Sequence, residues 1–218
     1  MESKIVMSND YKIENLFPTG IYKSKVNYTL SVKEKKYIEN LQFNHGNNDT
    51  FSDYNYFFLN NPLFSKLKKQ LQIHLNTYTK DVFKYDCEVY ISSSWLNLNP
   101  PGTGHHLHNH TNSVFSGVYY ITLPSGSPFL NFHSPINHMF FFNPTEYNDY
   151  NSNCVTLHLE EKDVVIFPST LYHEVLKNNT NQNRLSIAFN TFVRGYIGEK
   201  LINNKHNNPG DSSYIVIK

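Results

Sequence analysis

The stretch HHLHNHTNSVFSGVYYITLP, residues 105–124, decides the fold prediction, because it joins a histidine cluster to a strand pattern. Its first six residues contain four histidines, and neutral imidazole is the commonest metal ligand among protein side chains. Residues 113–123 are rich in β-branched and aromatic side chains and are followed by a Pro-Ser-Gly turn. This pattern predicts a β-strand. The stretch therefore predicts a metal site carried by a sheet.

The histidine segment also predicts which side chains face the metal. In an extended segment, successive side chains point to opposite faces of the sheet. His106, His108 and His110 would then share one face, and His105 would point to the other. Histidines two residues apart on a strand can chelate one ion, whereas a helical site would need a spacing of four. The alternative interpretation is an exposed histidine-rich loop with adventitious metal affinity.

The second half of the chain keeps a period of two in its apolar residues, which is typical of β-strands. Short segments of this kind alternate with Pro, Gly, Asn and Asp, as they do in jelly rolls and barrels. The predicted strands are 87–98, 116–123, 129–133, 138–142, 155–159, 163–167, 172–176 and 185–193. The predicted fold class is therefore mainly β, a jelly roll or barrel.

The N-terminal part predicts one strand and two helices. The strand is expected around residues 20–26. Ser31 is placed to cap a helix over 32–41, with Glu34 at the capping-box position. A second helix is predicted over 62–83. Its expected apolar stripe consists of Leu63, Leu67, Leu71, Ile73, Leu75 and Val82.

We expect a single domain over residues 1–218, since all-β domains often run to about 200–250 residues. Within it, residues 1–85 would pack on the barrel, 86–194 would form the jelly-roll core, and 195–218 would be a C-terminal tail. The polar stretch 203–213 is expected to be mobile.

Composition limits the function classes only modestly. The net charge is +1 and charged residues make up 17%, with no basic block that would favour nucleic acid. No apolar run is long enough for a membrane span or a signal peptide. Cys87 and Cys154 are far apart and predict reduced thiols. We therefore expect a cytoplasmic protein, as a monomer or homodimer.

A hairpin in the second half supplies a partner for the histidine cluster. His173 and Arg184 are expected to leave adjacent strands, and alternation puts Arg184, Ser186 and Ala188 on one face. A buried guanidinium is always charged and needs an anionic partner, which here could be a bound carboxylate held in a bidentate fork. The alternative is an exposed cation at the start of a strand.

Three motifs together resemble the 2-oxoglutarate- and Fe(II)-dependent oxygenases. They are HNHTNSVFSGVYYITLP at 108–124, DVVIFPSTLYHEV at 163–175 and NRLSIAFN at 183–190. The nearest branch carries an H-x-H-x-N-S-x-x-S-G-V-Y-Y signature, a Leu-Phe-Pro-Thr segment, found here at 16–19, and a Trp-x-Asn, found here at 95–97. The resemblance implies a double-stranded β-helix, a cupin-like jelly roll with flanking N-terminal α-helices.

The resemblance also implies roles for individual residues. His108 falls at the first metal position, His110 at the position of the carboxylate, and His173 at the distal metal position. Arg184 lies close to where the family places the basic residue that grips 2-oxoglutarate. Three weaker candidates for cosubstrate contacts are Tyr119, Asn97 and Asn190. The implied cofactors are Fe(II), 2-oxoglutarate and O2.

His110 departs from the usual triad of two histidines and one carboxylate. Neither Asp nor Glu occurs in residues 105–123, and Glu174 should face away from its neighbour His173. Three interpretations stay open for His110: a metal ligand, a group that supports the ligands, or the sign of a degenerate site. His106 could substitute as a ligand.

Two functions follow from these observations. The first is a hydroxylase of a peptide, an amino acid or another small metabolite. The second is a non-catalytic jelly-roll module, metal-binding or structural, whose cluster holds Zn or Ni. Polar loops at 44–61 and 134–153 are expected to select the substrate, whereas Trp95 and residues 140–142 are interpreted as core.

Overall fold

The structure is a computed structural model that describes residues 12–15, 17–45, 51–52, 56–127, 130–136, 143–198 and 214–217. Two antiparallel sheets account for the named strands of this part of the chain. The larger sheet contains β1 Tyr22–Lys25, β2 Asn44–His45, β3 Phe51–Ser52, β4 Glu88–Asn99, β6 Phe115–Thr122, β9 Asp163–Pro168, β11 Arg184–Gly198 and β12 Tyr214–Ile217. The smaller sheet contains β5 His105–His108, β7 Leu130–His133, β8 Cys154–Leu157 and β10 His173–Val175.

The strand order identifies the fold. The larger sheet runs β1-β9-β6-β11-β4-β3-β2, with β12 paired to β11, and the smaller runs β5-β10-β7-β8. Neighbours in both sheets are often distant in sequence, as in a jelly roll. The predicted mainly β jelly roll with N-terminal helices is therefore confirmed. The strand predicted over 138–142 lies outside the described residues.

Apolar layers hold both faces of the larger sheet. Between the sheets, Tyr120 and Phe167 of the larger sheet share a buried cluster with Leu130 and Phe132 of the smaller one. The outer face packs on helix α2, Ser65–Thr77. Each fully buried apolar side chain in such layers stabilises the fold by about 1.5–3 kcal/mol.

The second predicted helix is shorter and less regular than its pattern suggested. A 3₁₀ turn, Pro62–Phe64, precedes α2, and a π-helical turn, Tyr78–Val82, follows it. Leu67, Leu71 and Leu75 are fully buried, but Ile73 is 55% exposed and Val82 58% exposed. The prediction that Ile73 and Val82 belong to the buried apolar stripe was therefore wrong. Ile73 lies about 200° around the helix from Leu71, on the solvent side.

The first helix, α1, spans Val32–Glu39, two residues shorter than predicted. Its capping box is confirmed: the Glu34 amide donates to the Ser31 hydroxyl, and the Glu34 carboxylate accepts from the Ser31 amide. No helix in the described part of the chain is long and apolar enough to cross a membrane.

Both ends of the chain contribute strands to the larger sheet. β1 pairs along β9, from Tyr22 opposite Ile166 to Lys25 opposite Asp163. At the other end, β11 continues to Gly198 and pairs with β12. Residues 195–198 and 214–217 therefore extend the sheet, in contrast to the expected tail, while 203–213 lies outside the described residues.

Candidate metal centre

Three histidines from two strands and one loop converge between the sheets. His108 ends β5 and lies opposite His173, the first residue of β10, with 4.3 Å between their ring centroids. The His110 ring lies 5.1 Å from each of them. One ligand atom from each residue falls within 4.8 Å of the others. The three side chains therefore form one candidate metal centre.

Backbone carbonyls fix the tautomers of two of these histidines. His108 Nδ1 lies 2.7 Å from the His106 carbonyl oxygen, and His173 Nδ1 lies 3.0 Å from that of Leu171. A carbonyl can only accept, so each Nδ1 carries the hydrogen and each Nε2 keeps its lone pair. Hydrogen bonds of this kind orient metal-ligating histidines.

Burial keeps the cluster neutral at pH 7. It lowers the pKa of His173 to about 3 and that of His110 to about 4, and the neighbouring histidines add to both effects. Burial also lowers the pKa of His108. Neutral imidazoles are the form that binds metal, so no proton has to be displaced at neutral pH.

Hydroxyl groups hold the loop that carries His110. The His110 amide donates to the Ser169 carbonyl at 2.9 Å. The Ser169 hydroxyl bonds to those of Ser113 and Ser116, each at 2.8 Å. Asn112 adopts a left-handed backbone conformation with φ of 58°, which Asn tolerates better than most residues. This network explains how a loop residue can meet two strand residues.

The predicted alternation places His108 and His110 correctly on one face but is wrong for His105 and His106, because a β-bulge interrupts the strand pair. His108 lies opposite His173, but His105, three residues earlier, lies opposite Val175, only two residues later. Such a bulge shifts the faces of the strand beyond it. His105 therefore stacks on His108, with centroids 4.3 Å apart, and lines the cavity. His106 is exposed and does not border the cavity.

A cavity of about 530 Å³, including its open mouth, lies beside the histidines. It is lined by Trp95, Asn97, Asn99, His105, His108, His110, Gly117, Val118, Tyr120, Leu130, Phe167, His173, Val175, Arg184, Ser186 and Ala188. Polar and aromatic groups are thus concentrated around the candidate metal centre.

Arg184 forms the basic end of this cavity. Its side chain is only 1% exposed, and Nη2 donates to the Leu176 carbonyl at 3.4 Å. Burial lowers its pKa, and the Tyr120 hydroxyl opposes that effect, but a guanidinium stays charged at any pH near neutrality. Arg184, Ser186 and Ala188 all line the cavity, as strand alternation predicts.

Of the three weaker candidates for cosubstrate contacts, only one lines the cavity. Asn97 lines the cavity opposite Ser186. Tyr119 does not border it: its side chain lies in the core on the other face of β6, and Tyr120 takes the cavity position. Asn190 is also absent from the lining, and its Oδ1 accepts from the Ser116 hydroxyl at 2.7 Å. Asn190 therefore supports the serine network beneath His110.

An aromatic group forms the other end of the cavity. Trp95, paired with Ala188, lines the cavity with its ring centroid 6.0 Å from that of His110. Tyr56, which is 55% exposed, packs edge-on against Trp95 with centroids 6.2 Å apart. The interpretation of Trp95 as a core residue was therefore incomplete, since its ring lies between the candidate metal centre and an exposed aromatic residue.

The central part of the chain is similar to a known family, and the fold is similar to that of several solved structures. Residues 93–190 match a family model described as "Putative 2OG-Fe(II) oxygenase". No curated protein gives a significant match. Solved structures with the same fold include a 2OG-Fe(II) oxygenase family oxidoreductase from Burkholderia pseudomallei, at 13% identity and a TM-score of 0.56, covering 79% of this chain and 84% of that one.

Two further structures extend the comparison. A prolyl-4-hydroxylase from Pseudomonas putida is 14% identical, with a TM-score of 0.57 over 81% of this chain and 94% of its own. HygX from Streptomyces hygroscopicus, with nickel and 2-oxoglutarate bound, is 13% identical, with a TM-score of 0.57 over 79% and 82% of the two chains. Identities this low establish the fold, whereas the family model covers the segment that carries the histidines and Arg184. Residues 93–190 are therefore similar to the 2-oxoglutarate- and Fe(II)-dependent oxygenases.

Proposed function

We propose that this protein is a hydroxylase in which His108, His110 and His173 hold Fe(II) and Arg184 binds 2-oxoglutarate. The observation that carries the proposal is the position of three neutral, convergent imidazoles and one buried guanidinium in a single cavity. Iron, 2-oxoglutarate and O2 together supply the oxidising chemistry, in which the cosubstrate is decarboxylated to succinate and one oxygen atom goes to the substrate.

The donor set fits an iron centre that keeps open positions. Imidazole suits divalent iron, and three ligands on one side of an ion leave room for exogenous ligands. The Nδ1–H groups of His108 and His173 are held by carbonyls, so their Nε2 atoms are available. His110 replaces a carboxylate, which leaves the site one unit more positive and favours a dianionic cosubstrate electrostatically.

Arg184 is the group that would bind the far carboxylate of 2-oxoglutarate. A guanidinium matches a carboxylate in a bidentate geometry. Burial lowers the pKa of His105, and the neighbouring histidines and the charge of Arg184 add to that effect. Arg184, His105 and His108 line the same cavity, so the guanidinium and the candidate metal centre face one space. A purely structural metal site has no need for such a guanidinium.

The end of the cavity that Trp95 lines is the place where the substrate would bind. Arg184 lies opposite Asn99 and Ala188 opposite Trp95, so the two ends are separated by four residues along β11, or about 13 Å. With the cosubstrate at Arg184, the substrate would enter past Tyr56 and Trp95. Among the proteins of similar fold, one is a prolyl hydroxylase in complex with a peptide and another is HygX with hygromycin B bound. We therefore keep both peptides and small molecules in the proposed substrate class.

An anaerobic titration of metal-free protein with Fe(II) and 2-oxoglutarate tests the proposal. We expect a weak visible charge-transfer band that requires both components and is lost in His108→Ala. If metal binds but no band forms, the non-catalytic metal-binding module becomes the better interpretation.

Cys87 and Cys154 are free thiols, which supports the proposed cytoplasmic location. A monomer or homodimer remains the proposed assembly.

A further inference from the structure

His105, His106 and His108 form a second trio that the proposed iron centre does not use. One ligand atom from each lies within 4.8 Å of the others. Their ring centroids are 4.3 to 5.3 Å apart. The bulge in β5 produces this trio, because it brings His105 to the side of the strand on which His108 lies.

The two trios share His108, and this has a direct chemical consequence. A neutral imidazole has one nitrogen lone pair. His108 Nδ1 carries a hydrogen that it donates to the His106 carbonyl, so only Nε2 can bind metal. An ion held by His105 and His106 together with His108 therefore removes His108 from the inner trio. The two positions cannot be filled at the same time.

We infer that His105, His106 and His108 form an outer divalent-metal position that alternates with the inner centre, an inference that rests on the proposed iron ligands. Three imidazoles suit Zn(II), Ni(II) and Cu(II), which bind nitrogen sites more tightly than Fe(II) does. The outer position is open to solvent at His106, whereas His173 of the inner trio is only 4% exposed. The outer position is therefore the more accessible one, and a tightly held Zn(II), Ni(II) or Cu(II) ion bound there blocks assembly of the iron centre.

Zinc titration calorimetry on metal-free variants separates the two positions. His110→Ala removes an inner ligand from a loop, and His106→Ala removes an outer ligand but keeps the carbonyl that orients His108. We expect one equivalent of Zn(II) in the wild type and in each single variant. The double variant should bind at least tenfold more weakly than either single one. His158→Ala, at another exposed histidine, is the matched control and should behave as the wild type.

Each other outcome contradicts a specific statement. Two equivalents in the wild type would overturn the mutual exclusion. A loss in His110→Ala as large as in the double variant would remove the outer position and leave the proposed function intact. A loss in His106→Ala alone, with His110→Ala unaffected, would support the outer position and contradict the proposed iron ligands. Circular dichroism of every variant distinguishes a lost site from a lost fold.

Discussion

His108 and His173 lie directly opposite each other on antiparallel strands, with their imidazole centroids 4.3 Å apart. They are 65 residues apart in the sequence, yet each is oriented in the same way, by a carbonyl two residues earlier. The candidate metal centre is therefore built into strand pairing, and a third candidate ligand, His110, is added by the loop that the serine network holds.

Arg184→Gln should lose affinity for 2-oxoglutarate while metal binding is kept. Removal of one partner from a buried charged contact costs about 2–5 kcal/mol, so the dissociation constant should rise by roughly 30-fold or more. Titration of the charge-transfer band measures it. Arg184→Lys should also weaken binding, because an ammonium cannot form the bidentate contact.

Arg194→Gln is the matched control for this prediction. Arg194 lies on the same strand, but it is exposed, stacks on Tyr90 and pairs with Glu88. Its loss should leave cosubstrate affinity unchanged. If Arg184→Gln binds 2-oxoglutarate as tightly as Arg194→Gln does, Arg184 is not the carboxylate-binding group.

His110→Asp should keep Fe(II) bound but reduce affinity for 2-oxoglutarate. The carboxylate restores the usual donor set and lowers the charge of the centre by one unit, which weakens attraction for a dianion. In a His106→Ala background, which removes the outer position, His110→Ala should weaken Fe(II) binding itself, because only two of the three inner ligands remain. Calorimetry with Fe(II) under anaerobic conditions distinguishes a ligand from a supporting group. Unchanged Fe(II) affinity on adding His110→Ala to His106→Ala would assign His110 the supporting role.

Strand alternation predicted one wall of the cavity and failed at another, for an identifiable reason. Arg184, Ser186 and Ala188 follow a regular strand, so period two sufficed. The sequence does not show which of Tyr119 and Tyr120 faces the cavity. The pairing of Tyr120 with Ser186 decides it in favour of Tyr120. Register depends on tertiary contacts, and a slip of one residue exchanges the two faces.

His105 and Asn99 are two of the cavity residues that sequence reasoning missed, each for a different reason. Asn99 continues the alternation of Trp95 and Asn97 and could have been found from it. The face of His105 depends on a bulge between β5 and β10, and nothing in HHLH marks its position. The jelly roll itself was predictable because many short strands have to bury one face each.

Gly117→Ala should destabilise the fold by about 1–3 kcal/mol, the usual range for an overpacked core. A Cβ at Gly117 would lie 2.2 Å from Cζ of Phe189, whose side chain is fully buried and cannot move aside freely. Urea denaturation measures the loss. Gly20→Ala is the control, since nothing lies within 4 Å of a Cβ there, and it should change stability far less. Equal stability of the two variants would mean that the Phe189 ring can be accommodated elsewhere.

Glu34 should make stability depend on pH in the acidic range. Burial tends to raise the pKa of its carboxyl, but hydrogen bonds from Tyr28 and Ser31 outweigh burial and leave the pKa lowered. A carboxyl with a lowered folded-state pKa stabilises the fold above its unfolded pKa, and this contribution is lost as pH falls through the folded value. The wild type should therefore lose stability below about pH 4.5 in part through Glu34.

Glu34→Gln should remove that part of the pH dependence and lower stability at pH 7 by about 1–3 kcal/mol, because Tyr28 and the helix cap lose a charged acceptor at 2.6 and 2.7 Å. Glu39→Gln, at the exposed end of the same helix, is the matched control. Urea denaturation of the three proteins at pH 7 and pH 4 gives the comparison. If Glu34→Gln and the wild type lose the same stability between these pH values, the cap does not depend on the charge of Glu34, and the neutral hydrogen bonds alone hold the start of α1.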